Sequence, residues 1–140
     1  MDGRPILVDS DSTRLLEKVD LSRNNLYESE LQELWFSYPE ILPMKDIEPI
    51  YGEAVPICKE LKVESGYCDV LYVNSNGFIT IVETKLWKNP EARRKVVSQI
   101  LDYAKDISNM NYDEFELRCL KARKGPEKSL YEILSNYGHE

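Results

Sequence analysis

Two rhythms of apolar and polar positions divide this chain. Between residues 28 and 38, Leu31, Leu34, Trp35 and Tyr38 recur at steps of three and four, which predicts a helix. Glu28, Glu30 and Glu33 crowd its first turns, where the positive end of the helix dipole favours acids, and Pro39 and Pro43 bracket its end. A longer helix is predicted over 90–109, with Asn89 as N-cap and Pro90 at the first position, where its missing N–H is harmless. Ala92, Val96, Ile100, Ala104 and Ile107 line one face of it, with Val97 and Leu101 beside them. Gln99 and Tyr103, one turn apart, share a side. Residues 112–124 and 127–137 predict two further helices, joined by Lys124-Gly125-Pro126 and carried by Leu117, Leu120, Leu130, Ile133 and Leu134.

The second rhythm is that of strands. Residues 67–73 and 78–86 are rich in Val, Ile, Leu, Tyr and Phe, with a turn cluster between them. Residues 54–61 predict another strand, confined by Pro56 to an edge or a bulge. Residues 5–8 and 14–21 predict two short strands around the polar cluster Asp9-Ser10-Asp11-Ser12, the second being equally readable as a helical turn. Residues 44–53 predict irregular backbone.

The register of the central hairpin decides what its charges can do. A three-residue loop, Ser75-Asn76-Gly77, with Gly77 in the left-handed conformation, pairs Asn74 with Phe78 and hence Asp69 with Glu83. Lys85 then shares their face. A two-residue Asn76-Gly77 loop would instead pair Asp69 with Thr84 and separate the acids. The first register is preferred because it makes sense of the charges.

Composition narrows the chemistry. A chain of 140 residues, 42% apolar and 31% charged, suffices for one domain with a proper core. No apolar run approaches a membrane span, and the first residues lack the layout of a signal peptide. Cys58, Cys68 and Cys119 are odd in number and widely spaced, which argues against a disulfide framework or zinc cage and for a reduced, cytoplasmic protein. His139 is the only histidine, so mechanisms built on histidine would have to use a tail residue. The net charge of −7 argues against non-specific coating of nucleic acid. Lys85, Lys88, Arg93, Arg94 and Lys95 nonetheless form a local basic run, interrupted only by Glu91.

Two carboxylates and an ammonium on a half-buried hairpin are costly unless paired or holding a metal. The plain reading is a Lys85 ion pair at frayed strand ends. The sharper one is a site for a hard divalent cation, since Mg²⁺ commonly takes one or two carboxylates plus water and phosphate. Likewise, Glu28 is explained on spacing alone by the helix dipole, Tyr103 by packing, and Arg93, Arg94 and Lys95 by a solvated face.

Glu28 on the first helix, Gly66-Tyr67-Cys68-Asp69, Ile81-Val82-Glu83-Thr84-Lys85, and Gln99 with Tyr103 together resemble the PD-(D/E)xK nuclease superfamily over about residues 26–107. Cys68 stands where the name-giving proline would be. The resemblance implies an α/β (α+β) restriction-endonuclease-like core, a central mixed sheet flanked by helices. That core usually has another strand after the second helix, and none is evident before residue 140. The expected division is N-terminal strands over 1–25, the motif-bearing core over 26–107 and a helical extension over 108–140, as the N-terminal part of a longer protein.

The resemblance also implies a mechanism. Asp69 and Glu83, with the backbone carbonyl of Thr84, would hold Mg²⁺ or Mn²⁺ at a scissile phosphate and lower the pKa of an attacking water. Lys85 would orient that water or stabilise charge, because its acidic neighbours oppose a lowered pKa. Glu28 would be a third acid, Gln99 would position water or the nucleic-acid backbone, and Tyr103 would support it. Lys88, Arg93 and Arg94 would contact phosphates. The expected partner is nucleic acid, DNA ahead of RNA, with a homodimer left open. Two other readings compete. One is a catalytically silent nucleic-acid-binding or protein-interaction module of the same fold, and the other is a structural domain whose ion pair pins the hairpin.

Overall fold

The computed structural model describes residues 5–17, 27–85 and 91–137, with side chains from residue 94 in the last segment. The predicted cap at Asn89 and Pro90, and Lys88, lie outside the described residues. The strands are β1 (Ile6–Val8), β2 (Thr13–Leu15), β3 (Val55–Val63), β4 (Gly66–Val73) and β5 (Ile79–Val82). The helices are α1 (Glu28–Ser37), α2 (Met44–Ile47), α3 (Glu91–Ser108), α4 (Tyr112–Arg123) and α5 (Leu130–Asn136). The chain is thus mixed α/β. β1 and β2 form a small antiparallel hairpin, exposed throughout. The segment over 44–53, predicted irregular, holds α2 and a single 3₁₀ turn at Pro49–Tyr51.

β3, β4 and β5 form an antiparallel sheet in that order. The expected mixed sheet is therefore corrected: among the described residues every strand pairing is antiparallel. A parallel strand needs a crossover that returns to the sheet. Here the crossover helix α3 runs on into α4 and α5, which pack against β3. The ladder between β3 and β4 is irregular between Pro56 and Cys58, the bulge that Pro56 predicts.

The hairpin register follows the three-residue loop. Val70 stands opposite Val82, Leu71 opposite Ile81, Tyr72 opposite Thr80 and Val73 opposite Ile79. The Asn74 N–H donates to the Phe78 carbonyl at 3.1 Å, and Gly77, at φ 81°, donates its N–H to the Asn74 carbonyl at 2.9 Å. The Asn74 side chain secures this turn. Its Oδ1 accepts from the N–H groups of Asn76 and Phe78, and its Nδ2 donates to the Ile50 carbonyl at 2.7 Å. Asn74 is buried, so these bonds also satisfy an amide cut off from water.

Alternation along β4 sends its side chains to two sides. The Tyr72 hydroxyl donates to the Trp35 carbonyl at 2.7 Å, which pins α1 to the sheet, and Lys59 on β3 pairs with Glu33 of α1. Leu71 and Val73 enter the main core with Ile57 and Leu61 of β3, Tyr103 and Ile107 of α3, Phe115 and Cys119 of α4, and Leu130 and Ile133 of α5. The long helix is rotated from its predicted orientation: Tyr103 points inward and Ala104 is exposed. A large aromatic ring gains more from burial than a methyl group, and that decides the rotation. Asp106, also buried, accepts from the Ser65 N–H at 2.7 Å and ties α3 to the β3–β4 turn.

The hairpin loop gives a direct test. Asn74→Ala removes three hydrogen bonds, leaving the Ile50 carbonyl and the N–H groups of Asn76 and Phe78 without their side-chain partner, and is expected to cost about 2–3 kcal/mol, read from chemical denaturation.

Candidate functional site

The same register brings Asp69 opposite Glu83 by continuation of the β4–β5 pairing. Asp69 is buried, and its Oδ2 accepts two hydrogen bonds, one from the Thr84 N–H and one from the Thr84 hydroxyl, each at 2.7 Å. Both lone pairs of that oxygen are therefore taken, and further bonding falls to Oδ1.

Glu83 follows the last residue of β5, and its side chain is 2% exposed. Its Oε1 meets the Lys85 ammonium at 2.9 Å. Its Oε2 is buried and has no hydrogen-bond partner among the described residues. Burial pushes the Glu83 carboxyl above the ordinary range. Asp69 and Glu28 push the same way, and the Lys85 ammonium only partly offsets them. For Lys85, burial pulls the value down, but the charges of Glu83, Glu28 and Asp69 outweigh it and hold the ammonium above its usual value. Glu28, the first residue of α1, brings its Oε2 to 3.7 Å from the Lys85 Nζ. The acid at the helix start is thus delivered to the hairpin's lysine as well as to the helix dipole.

Gln99 and Tyr103 sit on the neighbouring face of α3. The Gln99 Nε2 donates to the Tyr103 hydroxyl at 2.6 Å. Burial raises the Tyr103 phenol; the bond from Gln99 opposes this, and the charges of Glu83 and Asp69 add to it, which marks the ring as a neighbour of the acids. A Cβ at Gly66 would lie 3.1 Å from the Tyr103 hydroxyl, so the glycine gives the ring its seat. The Cys68 thiol is pushed up to about 12 by burial, with Glu83 and Asp69 adding, and stays protonated. Arg94 is exposed on the first turns of α3, and the side chain of Arg93 lies outside the described residues.

The structure thus brings Glu28, Asp69, Glu83, Thr84 and Lys85 into one cluster, with Gln99 and Tyr103 against it. Among the described residues, no three His, Cys, Asp or Glu side chains converge as a complete metal cage. Of its three carboxylates, Asp69 and Glu83 each commit one oxygen within the hairpin, and Glu28 faces the Lys85 ammonium from α1.

Sequence reasoning missed two features. The first is the Thr84 side chain, which strict alternation assigns to the face away from the acids. The second is Glu60, whose left-handed backbone (φ 54°) lies within β3 directly across from Asp69, between the pairs Lys59–Val70 and Leu61–Cys68. No residue-type signal marks Glu60 in the sequence. Comparison of the chain with protein-family models, with curated proteins and with solved structures finds no match.

Because burial holds the Glu83 carboxyl above the ordinary range, its ionised form costs stability in the folded state at pH values above its folded pKa. Glu83→Gln is therefore expected to raise the melting temperature at neutral pH. The gain should fade as pH falls through the raised folded value, where the folded wild type takes up its own proton, and vanish below the ordinary carboxyl value of 4.5. Thermal melts of both proteins across that range check the sign.

Proposed function

We propose that this chain is a metal-dependent nuclease of the PD-(D/E)xK kind, hydrolysing phosphodiester bonds with DNA as the expected substrate. The observation that carries this reading is the Glu83 Oε2, a buried carboxylate oxygen without a hydrogen-bond partner among the described residues, on a residue opposite a second buried acid. A purely structural ion pair would gain nothing from stranding that oxygen, since an unsatisfied buried acceptor costs about 1–3 kcal/mol. A silent binding module would have no more use for it.

The donor set fits a hard divalent cation. Carboxylate oxygens suit Mg²⁺ and Mn²⁺, and Mg²⁺ commonly relies on one or two of them with water and phosphate oxygens completing its shell, so a full protein cage is not required. Asp69 and Glu83 would hold the ion, together with the backbone carbonyl of Thr84. The ion would supply Lewis acidity, acidifying an attacking water and offsetting charge on the phosphate.

The remaining residues act through charge and position. Lys85 is held cationic by its acidic neighbours, which suits stabilising negative charge and orienting water over acting as a neutral base. Glu28 helps to hold that ammonium in place from α1. Gln99 commits its Nε2 to Tyr103, which leaves its carbonyl oxygen as an acceptor for water. Lys88, Arg93 and Arg94 would meet phosphates, a local attraction within a chain of net charge −7.

Plasmid nicking in Mg²⁺ or Mn²⁺ tests the proposal. The wild type should nick, and Asp69→Ala and Lys85→Ala should each fall by about 100-fold or more. Equal nicking by all three proteins, or none by the wild type, would overturn it.

A further inference from the structure

We infer that Thr84 is a positioning residue, whose hydroxyl fixes the Asp69 carboxylate so that Oδ1 alone is presented to a cation. This rests on the reading of Asp69 and Glu83 as a cation site. The geometry is specific to one residue. The Thr84 N–H and Oγ1–H both end on Oδ2, each at 2.7 Å, and both groups are buried. Two donors from a single residue set the plane of the carboxylate as well as its distance.

A carboxylate held by one donor can rotate about its Cβ–Cγ bond and exchange its oxygens. Held by two, it is pre-organised, and a ligand that needs Oδ1 does not bear the cost of ordering it. The Thr84 hydroxyl spends its only proton on Oδ2, so the saturated oxygen is also the one least able to bind metal. The same logic applies on the opposite acid. Lys85 takes the Glu83 Oε1 and leaves Oε2. Each carboxylate thus has one oxygen fixed by a protein donor, and among the described residues no bond is made to the other.

Hydrogen bonds that orient metal-binding side chains typically change metal affinity by about 10–100-fold when removed. Thr84→Val keeps the N–H donor and deletes the hydroxyl. Thr84→Ser restores it without the methyl group.

The test is Mn²⁺ binding to the purified full chain without nucleic acid, by calorimetry or by loss of the free-ion electron spin resonance signal. The wild type, Thr84→Val, Thr84→Ser, Thr84→Ala and Asp69→Asn are compared, with circular dichroism to check folding. The expected result is that Thr84→Val binds about 10–100-fold more weakly and that Thr84→Ser recovers most of the loss. If valine does not fold, serine against alanine isolates the same hydroxyl. Wild-type affinity in Thr84→Val or Thr84→Ala, with Asp69→Asn impaired, overturns the positioning role and leaves the site reading intact. A loss as large in serine as in valine also overturns it. No binding by the wild type, or undiminished binding by Asp69→Asn, removes the site reading and the inference with it.

Discussion

The relative position of Asp69, Glu83 and Lys85 depends on which residue of β5 stands opposite which residue of β4. Side chains alternate along a strand, so a slip of one residue would send Glu83 and Lys85 to the face away from Asp69. Four ladder pairs, Val70–Val82 to Val73–Ile79, are a short stretch to hold a register. Side-chain hydrogen bonds hold it at both ends. At the loop, the Asn74 amide closes the turn and anchors it to the Ile50 carbonyl. At the open end, Asp69 takes the N–H and the hydroxyl of Thr84.

The rest of the fold delivers groups to that hairpin and shields it. α1 is fixed to the sheet by Tyr72 and Lys59, and this brings Glu28 to Lys85. α3 inserts Tyr103 beside Gly66 and sets Gln99 against its hydroxyl. The far edge of the sheet is dressed by α4, whose Arg123 donates to the carbonyls of Pro56 and Ile57 and whose Arg118 donates to that of Lys62. These guanidinium groups occupy β3 carbonyls that an edge strand would otherwise offer to another chain. The helical extension therefore has a structural task, which is to close the edge remote from the acids.

Much of this was legible in the sequence, and the misses have a common cause. The β-rich runs, the Asn74–Gly77 turn and the three-residue loop determine the hairpin, because Gly77 can take the left-handed turn and Asn74 can bond its own loop. The helices over 28–37 and 91–108 follow from their periodicity. Where tertiary contacts decide, periodicity is silent. The rotation of α3 that buries Tyr103 depends on the space left beside Gly66, and the mixed sheet failed because α4 turns back onto β3. At the site, the facing of Asp69 and Glu83 was readable because it is a matter of parity. Thr84 was not, because parity holds only while the ladder continues.

The end of that ladder explains how the cluster forms. With Asn74 and Phe78 a hydrogen-bonded pair, the pattern repeats at Tyr72–Thr80 and Val70–Val82, and would next join Thr84 N–H to the Cys68 carbonyl. The Thr84 N–H goes to the Asp69 side chain instead, and β5 stops at Val82. Released from the ladder, residues 83–85 bring the Lys85 ammonium back onto the Glu83 carboxylate. A continuous strand would hold the two side chains, two residues apart, upright and side by side. Asp69 thus acts both as an acid and as the terminator of the strand that carries its partners. Its removal would alter the backbone around Glu83 along with the charge, whereas changes at Lys85 leave that strand end in place. A fall in activity shared by variants at both positions therefore speaks for the chemistry of the cluster, because the two substitutions have only that chemistry in common.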